Sequence, residues 1–194
     1  MLTIKDIELH ITEMLQNGLN SIYSYHNVAH TLDVVKQARI IAADENLQDN
    51  ESLVALQLAS LYHDTGFLHN WNNHEEQSCL VARRELPGFG VSSAQLDNIC
   101  QIIMATKLPH NPQGILQEII CDADLDYLGR EDFFTISDRL FHEFISCGIV
   151  KTKMEWHTRQ ITFLQAHRYF TSSSNRRREP LKQQHIQYLL QAYQ

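Results

Sequence analysis

Four short stretches concentrate chemically active side chains in a chain of 194 residues with eleven histidines: Tyr25-His26-Asn27-Val28-Ala29-His30-Thr31, His63-Asp64-Thr65-Gly66, His74-Glu75-Glu76 and Asp122-Ala123-Asp124-Leu125-Asp126. His63 and Asp64 close the most apolar segment, residues 52–64, where an unpaired imidazole and carboxylate are costly to bury. A divalent cation compensates both at once. Imidazole supplies a neutral nitrogen and aspartate an anionic oxygen, a mixed donor set that suits Zn, Mn, Fe or, with more water, Mg. His30 and Asp124 come from two other apolar segments, so His30, His63, Asp64 and Asp124 make a four-ligand set drawn from three helices, with coordination positions left for water and substrate. Asp122 and Asp126 flank Asp124 and offer the same chemistry. His26 stands four residues before His30. If one helix holds both, their rings share a face; if Asn27 caps that helix, His26 lies just outside it.

The elements that position these residues read as helices throughout. Ile4, Ile7, Ile11, Met14 and Leu15 repeat at helical spacing after Thr3, a candidate N-cap, and Asn17-Gly18 gives a stop. A second helix is expected over 27–43 and a third, apolar almost all round, over 52–64, with Gly66 placed to end it. Asn73 reads as the cap of a helix that stops at Pro87-Gly88, and Ser92 with Gln95 as a capping box for the next. Further helices are expected over 115–128, 133–145, 154–170 and 181–192, with the polar stretch 171–180 as a loop holding Arg176, Arg177 and Arg178. Period-two alternation is absent, so the expected fold class is all-α, with about eight or nine helices in one domain over residues 1–194: core motifs in 25–129 and C-terminal helices in 131–194 packing on them.

Composition narrows the function classes. The formal charge of −7, from 16 basic and 23 acidic side chains, repels nucleic-acid backbones, so no sequence-specific nucleic-acid binding is expected. No apolar run approaches the ~18 residues of a membrane span, and the N-terminus lacks a basic-then-apolar leader, so a cytoplasmic protein without membrane contact is expected. Cys79, Cys100, Cys121 and Cys147 contain no C-x-x-C pair and read as buried free thiols.

The order His30, His63-Asp64, Asp124 resembles the H…HD…D signature of the HD superfamily of metal-dependent phosphohydrolases, over about residues 25–129. The motif Tyr25-His26-Asn27-x-x-His30 is also similar to the first motif of cyclic-nucleotide phosphodiesterases, although that family's purine-selecting glutamine has no counterpart here. A closer likeness is to small stand-alone bacterial HD-domain proteins, through Phe163-Leu164-x-x-His167-Arg168-Tyr169-Phe170-Thr171. The resemblance implies His30, His63, Asp64 and Asp124 as ligands of one or two divalent ions (Mn, Zn, Mg, Ni or Fe), with Asp124 preferred over Asp122. It further implies Asp64 bridging two ions, His26 as general acid, and a small phosphorylated, nucleotide-like substrate cleaved at a mono- or diester by activated water. His74 and His110 are candidates for a second metal, and Lys107, Arg83 and Arg84 for substrate phosphate. Two rival readings follow from the same residues: a di-iron oxygenase using His74 and His110, and a non-catalytic nucleotide-binding module.

Overall fold

The computed structural model describes residues 3–69 and 71–193. Among these it is all-α, with nine α-helices and no strand: α1 (Ile4–Gly18), α2 (Val28–Asp44), α3 (Asn50–Tyr62), α4 (His74–Glu85), α5 (Ser93–Met104), α6 (Ile115–Asp124), α7 (Phe133–Ser146), α8 (Lys153–Ala166) and α9 (Ser172–Tyr193). Short 3₁₀ turns follow α3, α4 and α6. The helix starts are set by side-chain caps. Thr3 and Asp6 form a reciprocal box at α1, as do Ser92 and Gln95 at α5, while Asn27 accepts from the amides of Ala29 and His30 at α2 and Asp49 from Ser52 at α3. Each such cap is worth about 1 kcal/mol.

The hydrophobic centre is α3. Leu56, Leu58, Ala59, Leu61 and Tyr62 are buried against Ile11 and Leu15 of α1, Val34, Ala38 and Ile41 of α2, Ile99 and Ile103 of α5, and Ile119 and Ile120 of α6. Burial of one such side chain stabilises by about 1.5–3 kcal/mol, which is why a helix apolar all round sits here. A second cluster joins Tyr25, Leu125, Tyr127 and Leu128 to Phe133 of α7, Leu164 of α8, and Ile186 and Leu189 of α9. The site lies where the two clusters meet.

Four local expectations are corrected. The segment 172–180 is helical, not a loop, and α9 runs through Pro180 with Arg176, Arg177 and Arg178 inside it. Tertiary ties outweigh the proline: the Ser173 amide donates to Glu45, Arg177 pairs with Asp44 and Arg178 with Asp126. Next, α8 ends at Ala166, because buried Asp122 draws the following segment into extended backbone, accepting from the amides of Phe170 and Thr171 and from the Thr171 hydroxyl at 2.7–2.8 Å. Gly66 does not cap α3. It is required because a Cβ there would meet the His74 carbonyl oxygen at 1.9 Å. Finally, Asn73 precedes α4 in a left-handed conformation, φ 56°, without a side-chain cap, a backbone that asparagine tolerates better than most residues.

Candidate metal centre

Three helix ends deliver the candidate ligands. Because Asn27 is the cap of α2, His30 falls in its first turn and His26 lies outside it. His63 follows the last turn of α3, Asp64 comes next, and Asp124 ends α6. The His63 Nδ1–H donates to the Ser60 carbonyl at 2.8 Å, which fixes the tautomer and turns Nε2 inward. The Ser78 hydroxyl of α4 accepts from the Gly66 amide and donates to the His63 carbonyl, so α4 is stitched directly to the His63-Asp64 turn.

The donor atoms converge. His30 Nε2 lies 3.2 Å from Asp64 Oδ2, 3.1 Å from Asp124 Oδ1 and 3.3 Å from His63 Nε2; His63 Nε2 lies 3.2 Å from Asp64 Oδ2 and 3.6 Å from Asp124 Oδ1. One ligand atom each from His30, His63 and Asp124 fits within a 4.8 Å span. His30, His63 and Asp64 are buried, and Asp64 Oδ2 is buried without a hydrogen-bond partner. An orphaned anionic oxygen facing two imidazole nitrogens suits a divalent cation, so this donor set fits a metal. Burial pulls His30 toward the neutral form, but the Asp124 and Asp64 carboxylates beside its Nε2 outweigh burial and lift it to about 9. The same opposition, burial against the two carboxylates, raises His63. Burial opposes ionisation of Asp64 and Asp124, yet the imidazoles hold both carboxyls below their ordinary range.

Around this nest the structure places the other candidates. Phe67 is sandwiched between two imidazoles, stacking on His26 at 4.4 Å and His74 at 4.1 Å. His74 Nε2 lies 3.7 Å from Asp64 Oδ1 and 3.5 Å from Oε1 of buried Glu75. His110 donates Nε2–H to the Thr106 carbonyl at 3.1 Å and leans on Phe170. Lys107 pairs with Glu76, Arg83 with Asp97 and Arg84 with Glu85. Asp122 is spent on residues 170–171, and Asp126 accepts from Arg178, which leaves Asp124 as the carboxylate of this segment that meets the histidines.

Sequence reasoning missed Glu143. This fully buried carboxylate of α7 accepts from the amides of Tyr25 (2.8 Å) and His26 (3.0 Å) through Oε2, and its Oε1 is hydrogen-bonded to His26 Nδ1. A signal was present: an acid between Phe141 and Phe144-Ile145 is the same anomaly that marked His63-Asp64. The cleft was missed as well. His30, Asp124, Tyr25, Tyr127, Thr135, Arg130 and Arg139 line a space of about 170 Å³, which shares Asp33, Arg130 and Asp132 with a wider hollow of about 600 Å³. Arg130 is held there by Asp33 at 2.5 Å and by a fork to Asp132 at 2.6 and 2.9 Å. A hollow of about 380 Å³ between α3 and α5 is larger than the cleft but contains none of the metal-site residues.

The HD-domain family model matches residues 27–126, just over half the chain and the span that carries His30, His63, Asp64 and Asp124. The chain belongs to the HD-domain family. Three solved structures share the fold. A predicted HD superfamily hydrolase from an uncultured Thermotogales bacterium is 18% identical, with TM-score 0.62, covering 94% of this chain and 89% of that one. Bacillus subtilis YpgQ, solved in complex with ADP, is 17% identical with TM-score 0.65, covering 95% of each chain. The Lin1889 protein of Listeria innocua is 16% identical with TM-score 0.61, covering 97% of this chain and 96% of that one. No curated protein matches the sequence. In this HD domain no helix among the described residues is long and apolar enough to cross a membrane.

Proposed function

We propose that this HD-domain protein is a metal-dependent phosphohydrolase that cleaves a phosphate mono- or diester of a small, nucleotide-like molecule. The observation that carries the reading is the orphaned Asp64 Oδ2 facing His30 and His63, in a nest that opens into the Arg130 cleft. His30, His63, Asp64 and Asp124 would hold the ion, and Asp64 Oδ1, His74 and Glu75 form a neighbouring donor group for a second. A bound divalent ion supplies activated water near neutral pH and offsets phosphoryl charge. The chain's own residues do the rest.

Glu143 takes the His26 Nδ1–H and the amides of His26 and Tyr25, so His26 is held by two hydrogen bonds of its own and one from its neighbour and keeps Nε2 for proton transfer. That is the arrangement of a general acid for the departing oxygen, with Glu143 as its positioning residue. Phe67, Tyr25 and Tyr127 wall the site with aromatic surface, and Arg139 supplies positive charge to a substrate extending outward, beside an Arg130 paired with Asp33 and Asp132. The cleft of about 170 Å³ takes a phosphate group, and the wider hollow beyond Arg130 takes the remainder. The ADP bound by YpgQ, a protein of the same fold, supports a nucleotide as the first class to test. Incubation with nucleoside monophosphates and with nucleotide phosphodiesters under Mn, Zn, Mg, Ni and Fe, followed by product chromatography, tests the reading. Metal-dependent release of phosphate from the monoesters, or opening of the diesters to a monoester and an alcohol, lost in Asp64→Ala, is expected. Nucleotide binding without turnover under every metal would contradict it and favour a binding module.

A further inference from the structure

Outside the site, the structure brings two of the four cysteines together. Cys79 lies in α4 and Cys100 in α5, and both are buried at the contact between these helices. Their contact is reciprocal: Cys79 Sγ lies 3.6 Å from the Cys100 carbonyl oxygen, and Cys100 Sγ lies 3.8 Å from the Cys79 carbonyl oxygen. One turn along each helix, Arg83 and Asp97 close the same interface with a 2.7 Å ion pair on the protein surface. The other cysteines have no such arrangement, since Cys121 donates to the Ala105 carbonyl at 3.0 Å and Cys147 lies beyond α7.

We propose that Cys79 and Cys100 form an oxidisable dithiol, which a low-molecular-weight disulfide converts to an intramolecular disulfide linking α4 to α5. A disulfide needs Cα atoms about 4.4–6.8 Å apart. Two side chains that each bring Sγ within 3.6–3.8 Å of the other's carbonyl oxygen face each other across one helix contact, the juxtaposition such a bond needs. Thiolate is the attacking form. The neighbouring Cys79 thiol, aided by the Arg83 guanidinium, lowers the Cys100 thiol, while the closeness of Cys100 and burial raise Cys79. The order of events follows. Cys100 thiolate attacks one sulfur of the oxidant RSSR, forming a mixed disulfide and releasing RS⁻. Cys79 gives up its proton and attacks Cys100 Sγ, forming the protein disulfide and releasing the second RS⁻. Two electrons pass from the cysteines to the oxidant, and two RSH result. Cys79 directly follows Ser78, which bonds the backbone of His63 and Gly66, so the bond tethers the helix that is stitched to the metal-site turn.

The test is oxidation of the folded, fully reduced chain with oxidised glutathione, followed by alkylation of remaining thiols and peptide mapping. The expected result is a Cys79–Cys100 cross-linked peptide that has lost two hydrogen atoms and is restored by dithiothreitol. Cys79→Ser should leave Cys100 carrying a glutathione adduct, because the resolving thiol is gone, and Cys100→Ala should abolish the cross-link. Circular dichroism establishes that each variant is folded, and wild-type mapping stands without them. Wild-type protein in which both cysteines stay reduced, or carry separate glutathione adducts without a cross-link, would overturn the proposal.

Discussion

At the scale of single residues, the division of labour between His26 and the ligand set is the sharpest consequence of the geometry. His26→Ala should lower the rate by about 10²–10⁴-fold while metal content stays near wild type. Glu143→Gln should act in the same direction, and the double variant should lose little more than His26→Ala alone, because the two groups work as one unit. A nitrophenyl ester, whose leaving group needs no proton, should shrink both penalties. Additive losses, or equal penalties on both substrate types, would contradict the roles. The ligands carry their own pH signature. Asp124 and Asp64 hold a proton on His30 up to about 9, and a cation has to displace that proton. Metal affinity should therefore rise with pH through the neutral range, with protons released on binding. Calorimetric titration in buffers of different ionisation enthalpy reads that release directly, and a pH-independent affinity would contradict the assignment.

At the scale of elements, two aspartates one residue apart do different work. Asp122 fastens residues 170–171 to α6, whereas Asp124 faces the histidines. Asp122→Ala leaves two buried donors of Thr171 and the half-buried Phe170 amide without an acceptor and should cost about 3 kcal/mol, with the ligand set intact. Asp124→Ala should instead reduce metal binding at a small cost in stability. Chemical denaturation with metal analysis of both variants separates the two, and identical profiles would contradict the distinction. The same elements show what a sequence reader can see. The caps at Thr3, Asn27, Asp49 and Ser92 are local chemistry, and His63-Asp64 is legible because a charged pair stands out at the end of an apolar helix. The role of Glu143 needed α7 to return to Tyr25 and His26, and the helical state of residues 172–180 needed Asp44, Glu45 and Asp126. Such long-range pairings override the local signal of Pro180 and leave no mark on periodicity.

At the scale of the whole molecule, the C-terminal helices complete the site that the HD segment begins, since α7 supplies Glu143 and α9 packs against residues 126–129. A half-buried histidine couples this half of the chain to pH. Burial and nearby Lys182 pull His167 down to about 3, so the folded protein keeps it neutral while the unfolded chain protonates near 6.5. The contribution is constant above about 6.5 and is lost as pH falls from there toward 3, at up to about 1.4 kcal/mol per pH unit. Denaturation midpoints of His167→Gln should show a flatter acid limb than wild type, and parallel curves would contradict the coupling. The central claim is that His30, His63, Asp64 and Asp124 form a metal centre. Elemental analysis by plasma mass spectrometry, on tag-free protein purified without added metal or chelator and compared with Asp64→Ala, tests it most directly. The account predicts one or two equivalents of Mn, Zn, Mg, Ni or Fe in the wild type and loss of that metal in a variant that remains folded. Two equivalents of iron would point to oxygen chemistry in place of hydrolysis, and wild-type protein that holds no metal even after reconstitution would contradict the claim.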